Sequence, residues 1–306
     1  MISVRTAIGS ILVFFLIFIA TLPFAGPADS ATITVKQLGG GDYTSITEAI
    51  NNAFADDKIE VYAGRYEEAV VIDKDLNLVG AGPQVTTIAS LSHGIVVKSL
   101  VVVTIEGFEI TSTGNGIYLE PDGNATIRNN CIVNNIGMGI RFYGGSTTSI
   151  INNTIHNNGA GGINNNENSG VNVNIFNNIV TNNEGYGLFM RHATVSISHN
   201  DVFGNTTNYH YCAAGAGDIT ENPRFIDANS NYVLRSDSPC INAGRSGSVD
   251  ADPDGSRNDM GAYGGPYAAS FWPYPPGAPI VTNLTATPTS VPKGEPITIN
   301  AVGEIK

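Results

Sequence analysis

The chain has 306 residues, with 15 Lys and Arg against 27 Asp and Glu, for a formal charge of -12. That balance repels polyphosphates and argues against nucleic acid as a partner. A hydrophobic content of 42% allows a packed core, while 35 Gly and 33 Asn, 22 of the latter between Asn124 and Asn208, exclude an all-helical fold, because both residues weaken helix interiors.

In chain order, residues 1–30 come first. Arg5 precedes an apolar run over residues 11–22 that is shorter than the roughly 20 residues a membrane-spanning helix needs. It reads as a secretory signal cut after Ala28 or Ser30, with an uncleaved anchor as the alternative. Both readings put the folded part outside the cytoplasm, secreted or at the cell surface. No second apolar stretch of spanning length follows, so no membrane span is expected after signal removal. Residues 31–56 are expected to form an N-terminal strand and a short capping helix. Ser45 and Glu48 have the spacing of a capping box, and Ile46, Ala49, Ile50 and Ala53 make one apolar helical face.

Residues 57–227 carry an internal repeat. Gly94-Ile95, Gly116-Ile117, Gly139-Ile140, Gly162-Ile163 and Gly187-Leu188 recur at spacings of 22, 23, 23 and 25. A second series, Ile105, Ile127, Ile150, Ile175 and Ile197, is followed five residues later by Ile110, Ile132, Ile155, Val180 and Val202. Three short apolar strands per repeat, with no alternating hairpin turns, predict a parallel solenoid that buries its apolar residues inside. Between the second and third strands sit Asn129-Asn130, Asn152-Asn153, Asn177-Asn178 and His199-Asn200. Asn tolerates the left-handed backbone of a tight bend, and its amide both donates and accepts. Asn130, Asn153, Asn178 and Asn200 are therefore predicted to stack as a structural ladder, whereas Asn158 is expected to be exposed.

These features resemble the right-handed parallel β-helix proteins of the pectin lyase-like superfamily, whose asparagine ladder lies at such a bend. The resemblance implies an all-β, three-sheet parallel β-helix with a short N-terminal capping helix. It also implies that the Gly-Ile strands form the sheet bearing the substrate groove in those enzymes. The opening, GGGDYTSITEAINNAFADDKIEVYAGRYEEAVVIDKDLNLVGAG, is similar to the start of pectin methylesterases and of surface β-helix proteins. Within residues 228–266, SPCINAGRSGSVDADPDGSRNDMGAYGGP resembles the closing segment of secreted β-helix proteins of unassigned reaction. Residues 267–279 read as a Pro- and aromatic-rich linker. Residues 280–306 resemble the first strands of an Ig-like module, too short to complete a sandwich of roughly 100 residues.

Strand alternation directs Tyr118, Glu120, Arg141, Tyr143, Asn164, Asn166, Phe189 and Arg191 outward from the Gly-Ile sheet, with Glu167 and His192 at strand ends. Aromatic faces stack on sugar rings and polar tips bond hydroxyls, so the face suits a polysaccharide or cell-surface glycan. It suits an ordinary solvated surface equally. The Asp clusters of the superfamily's lyases and polygalacturonases have no counterpart, for no outward Asp is read on this sheet. Glu120 and Glu167 fall two turns, about 10 Å, apart, at or beyond the long end of the roughly 6.5 to 9.5 Å inverting range. Glu167 with Arg141, Arg191 and His192 is the remaining catalytic candidate for a lyase, hydrolase or epimerase, with solvated ion pairing as the favoured alternative. Asp250, Asp252 and Asp254 before Gly255 resemble the start of a calcium loop, with Gly261 where a bidentate Glu is expected; a metal-free turn cluster is the alternative. Three cysteines cannot all pair: Cys131 is expected to be free, and Cys212 and Cys240 are left open between a bridge and two thiols.

Overall fold

A computed structural model describes residues 30–165, 170–191, 193–273, 279–287 and 298–305, the last two stretches by backbone alone. The segment before Ser30, read above as a secretory signal, and Asn166, Glu167 and His192 lie outside the described residues.

The repeat winds into a solenoid of three parallel sheets. An eight-stranded sheet runs from Thr32–Val35 to Ala193–Ser198, with Ile105, Ile127, Ile150, Ile175 and Ile197 in register. A seven-stranded sheet, from Gly64–Tyr66 to Asp201–Phe203, aligns Ile110, Ile132, Ile155, Val180 and Val202; this is termed the covered sheet below. The other seven-stranded sheet, from Val70–Ile72 to Thr207–His210, aligns Ile95, Ile117, Ile140, Ile163 and Leu188; this is termed the open sheet. These aligned side chains form one continuous core along the axis. Each turn alone could not bury them, but stacking removes both sides of every turn from water.

The short α-helix Ile46–Asn52 buries Ile46, Ala49 and Ile50. Ser45 Oγ accepts from Glu48 N at 3.3 Å. Instead of Glu48 reaching back, Glu68 accepts from Ser45 Oγ and from the N–H groups of Ile46 and Thr47, which neutralises the positive helix start from another turn.

Two bends per turn are built on asparagine. In the first, Asn129, Asn152, Asn177 and His199 take φ between 50° and 60°, and the following residues stack. Asn130 Nδ2 donates to Asn153 Oδ1 at 3.1 Å, Asn153 Nδ2 to Asn178 Oδ1 at 3.1 Å, and Asn178 Nδ2 to Asn200 Oδ1 at 3.0 Å. The series ends on Asp218, whose Oδ1 accepts from both Asn200 nitrogens. The bend into the open sheet repeats the arrangement. Asn134, Asn157, Asn182 and Gly204 have positive φ, and Asn135, Asn158, Asn183 and Asn205 hydrogen-bond in sequence. Asn158 is therefore fully buried rather than exposed. Its amide donates to Ile132 O and Asn183 Oδ1, and its oxygen accepts from Asn135. This second ladder accounts for the Gly of the Gly-Ile pairs. A Cβ on Gly139 would lie 2.6 Å from Ile155 Cγ2, 2.9 Å from Gly162 O and 3.0 Å from Asn158 Nδ2.

After the last turn the chain runs back along the outside of the solenoid. Arg245 N donates to Asn177 Oδ1, Asn152 Nδ2 to Asn258 Oδ1 and Asp259 O, and Asn129 Nδ2 to Ala262 O and Gly264 O. Further back, Tyr267 lies under the Arg128 guanidinium at 3.5 Å, and Phe271 packs over Gly82. Phe225, Tyr232, Cys240, Met260, Ala262 and Tyr263 close a second apolar core on Cys131, Val133 and Ile179 of the covered sheet. The tail strands Pro279–Thr287 and Thr298–Ile305 pair antiparallel. Among the described residues no helix is long and apolar enough to cross a membrane.

Candidate functional site

The outward residues of the open sheet form three columns. The middle one holds Val71, Val96, Tyr118, Arg141, Asn164, Phe189 and His210, aligned strand by strand. One column before it come His93, Asn115, Met138, Gly161 and Tyr186, and one after it Lys98, Glu120, Tyr143 and Arg191. Parallel in-register strands create these columns, because equivalent residues of successive turns stand about 4.8 Å apart on one face.

Two aromatic clusters result. In the upper one the His93 ring stacks on Tyr118 with centroids 5.0 Å apart, Tyr118 meets Tyr143 edge-on at 5.6 Å, and Arg141 lies 5.0 Å over the Tyr143 ring. His93 Nδ1 accepts from Asn115 N at 2.9 Å, so the proton of the neutral ring is on Nε2. Burial and then the Arg141 charge push the His93 pKa down, favouring that neutral form. In the lower cluster Tyr186 stacks on His210 at 4.3 Å, Phe189 meets both, and Arg191 lies 5.5 Å over Tyr211. Asn164, buried, occupies the strand between them.

The structure thus brings together Tyr118, Arg141 and Tyr143, and separately Phe189 and Arg191. His93, Tyr186, His210 and Tyr211 join them without having been singled out in the sequence. Their signal was present: Tyr186 immediately precedes a Gly-Leu pair, His210 ends a further strand in which the Gly-Ile pattern has lapsed, and Tyr211 follows it directly.

Glu120 is tied to Lys98 Nζ at 2.6 Å. That hydrogen bond holds its carboxyl below the ordinary range, so it remains an anion and donates no proton near neutrality. Asp73 follows Val70–Ile72 at the place Lys98 takes one turn later, an acidic residue the sequence reading of this face omitted because the Gly-Ile series begins at Gly94. The two carboxylates sit either side of a lysine, two strand steps or about 10 Å apart.

Two of the three aspartates of the expected calcium loop are held by backbone amides. Asp252 is turned inward, Oδ1 accepting from Gly265 N at 2.5 Å and Oδ2 from Asp259 N at 2.9 Å, while Asp254 Oδ1 accepts from Ser256 N. Asp252 and Asp254 therefore shape the return segment, and among the described residues no group of three or more His, Cys, Asp or Glu is placed to hold a metal ion. Cys131, Cys212 and Cys240 are all free thiols; Cys240 Sγ lies 3.3 Å from Asp201 Oδ2.

A cleft of about 1310 Å³ opens between the return segment and the first turns, walled by Gly82, Tyr232, Tyr263, Phe271 and Trp272. None of the predicted substrate-binding residues lines it.

Residues 84–235 match the family described as right handed beta helix region. With its three in-register parallel sheets, which extend beyond that region at both ends, the chain folds as a parallel β-helix. Over 138 residues, 44% of this chain, it is 32% identical to a cell surface glycoprotein of Methanothermus fervidus, and it spans 23% of that relative's length. Two solved structures are also matched. A pectin methylesterase from carrot is 12% identical, covering 65% of this chain and 89% of that one at a TM-score of 0.31. Pectate lyase Pel9A is 13% identical, covering 76% and 96% at a TM-score of 0.35. Likenesses this distant carry no argument about chemistry.

Proposed function

We propose that the protein is displayed outside the cytoplasm, at the cell surface, and holds a polysaccharide on the open sheet without turning it over. The observation that carries this reading is the pair of aromatic clusters on one sheet face, each with a guanidinium over a tyrosine ring. Tyr118 and Tyr186, on strands three steps or about 14 Å apart, mark the two ends of a track that a glycan chain can follow along the solenoid axis. Ring faces supply stacking area, and the polar tips of Arg141 and Arg191 can bond hydroxyls or carboxylates. The description of the Methanothermus relative as a cell surface glycoprotein supports the location.

Turnover needs a proton donor opposite a base or nucleophile. Glu120 is committed to Lys98, and guanidinium groups stay protonated above pH 12 or so and are poor bases. The full chain, incubated with pectate, alginate and neutral plant glycans with and without calcium, is expected to release no unsaturated or reducing ends and to bind at least one of these glycans. Substituting Tyr143 or Tyr186 with Ala should weaken that binding several-fold. Turnover lost on changing Glu167 or Arg191 would establish an enzyme instead, and absence of binding to every glycan would remove the proposal.

A further inference from the structure

We infer that Asn124 is an N-glycosylation acceptor, with Thr126 as the hydroxyl residue of its recognition triplet. The inference rests on the extracytoplasmic location proposed above and is independent of what the open sheet binds. Four Asn-x-Ser/Thr triplets occur in the chain, beginning at Asn124, Asn152, Asn205 and Asn283. Such triplets are modified where the amide nitrogen is accessible at the surface.

The fold separates them. Asn152 is 2% exposed, and its Nδ2 is spent on Asn258 Oδ1 at 2.9 Å and Asp259 O at 2.8 Å under the return segment. Asn205 is a rung of the second ladder, its Nδ2 donating to Val180 O at 2.9 Å and Asn208 Oδ1 at 3.1 Å. A sugar on the Asn152 nitrogen would break bonds that hold the return segment to the solenoid, and one on the Asn205 nitrogen would break the ladder. Asn283 lies on the strand Pro279–Thr287, outside the residues whose side chains are described, and takes no part in the inference.

Asn124 differs on each count. It opens the strand Asn124–Arg128, where alternation places it beside Thr126 on the outer face of the eight-stranded sheet. Its column neighbours are the exposed Val102, Thr147 and Asn172, all short side chains that leave room for a first sugar. Nδ2 donates to Asp122 O at 3.2 Å and Oδ1 accepts from Thr147 N at 2.7 Å, both at the surface.

The chemistry preserves these contacts. Nδ2 attacks the anomeric carbon of an oligosaccharide carried on a lipid phosphate. The bond from that carbon to the phosphate oxygen breaks, the lipid phosphate leaves with the electron pair, and one amide proton passes to a base of the transferase. Nothing is oxidised or reduced. The product keeps Oδ1 and one N–H, so the bonds to Thr147 and Asp122 survive, which is not true of the multiply committed amides at Asn152 and Asn205.

The test is glycopeptide mass spectrometry on the full-length chain secreted from an N-glycosylating host beside a control acceptor protein. Occupancy is expected at Asn124, with none at Asn152 or Asn205. Thr126→Ala should abolish it and Thr126→Ser restore it, while the Asn124 hydrogen bonds stay intact in both. An unmodified Asn124 in a preparation whose control is occupied, or a glycan on Asn152 or Asn205, would overturn the inference. A chain that is glycosylated yet binds no polysaccharide would overturn only the function proposed above.

Discussion

The covered and open sheets have seven strands each and share one core, yet their outer faces differ in kind. Outward on the covered sheet stand Cys131, Val133, Thr154, His156, Ile179, Thr181 and Asp201, all buried. Outward on the open sheet stand Tyr118, Arg141 and Tyr143, half-buried, beside the exposed Tyr211. Most of the first set is small or apolar because the return segment lies on it, and two of its polar members serve the joint: Thr154 Oγ1 accepts from Ala262 N, and Asp201 Oδ1 from Glu221 N. The second set is large, planar and charged, with ring faces left for a ligand. A solenoid sheet is thus a template with two uses, and the size of its outward side chains shows which use it has.

The sharpest way to break this contrast is to cut into the joint. Met260 of the return segment, 1% exposed where that segment meets the covered sheet, should cost about 2–5 kcal/mol when replaced by Ala, the range for a buried large-to-small change. Reversible denaturation would check it; a loss no larger than that of a surface substitution would mean the segment is not part of the folded core.

Next in size, Asn153→Ala and Asn158→Ala should each cost about 1–3 kcal/mol, because each leaves buried backbone and amide partners unpaired. The two residues bracket the covered sheet from its two bends, so similar losses are expected, against almost none for the exposed Asn172→Ala. An innocuous Asn158→Ala would leave the first ladder as the sole structural one.

A graded effect should follow pH. Burial, with Asp259 and Asp254 nearby, raises the Asp252 carboxyl to about 7. Burial and Asp254 raise Asp259 to about 6. Asp201, near Glu221, Asp218 and Cys240, is raised to about 7, chiefly by burial. Each folded pKa exceeds the unfolded value, so the stabilisation is complete below the ordinary carboxyl range and is lost as pH rises through 6 to 7. His156 in the same joint, lowered by burial, acts in the opposite sense, as does His93 on the open sheet: their contribution is present above the ordinary histidine range and lost as pH falls. Hydrogen exchange of residues 238–266, corrected for intrinsic rates, should therefore show more protection at pH 5 than at pH 8. Equal protection would show that these carboxyls do not govern docking.

The smallest effect on stability is expected at Tyr143→Ala, within about 0.5 kcal/mol, since the residue stands on an open face. Its glycan affinity should nonetheless fall. Unfolding and binding measured on one preparation would reveal a structural role if the two losses moved together.

The three-strand period and the first asparagine column were legible because they recur at nearly constant spacing, and Ile105 through Ile197 pair in the expected register. The second column was equally periodic, five residues after the first at Asn135, Asn158, Asn183 and Asn205. It was missed because Asn158 was judged by residue type rather than by phase. Tyr118, Arg141 and Tyr143 could be placed on one face by alternation, whereas their meeting with His93 depended on Asn115 N fixing the ring.

The sequence by itself determined the winding: a repeated apolar pattern with bend residues in fixed phase admits a parallel solenoid, since every turn must satisfy the same burial and backbone pairing as its neighbours. Tertiary structure alone decided the route of the non-repeating chain after the last turn. Local composition around Asp250 to Asp254 was compatible with a calcium loop, but the amides of Gly265 and Asp259, distant until the segment folds back, claim the Asp252 carboxylate. Which sheet is covered, and which is left for a ligand, follows from that long-range docking, because non-repeating contacts leave no period in the sequence to read.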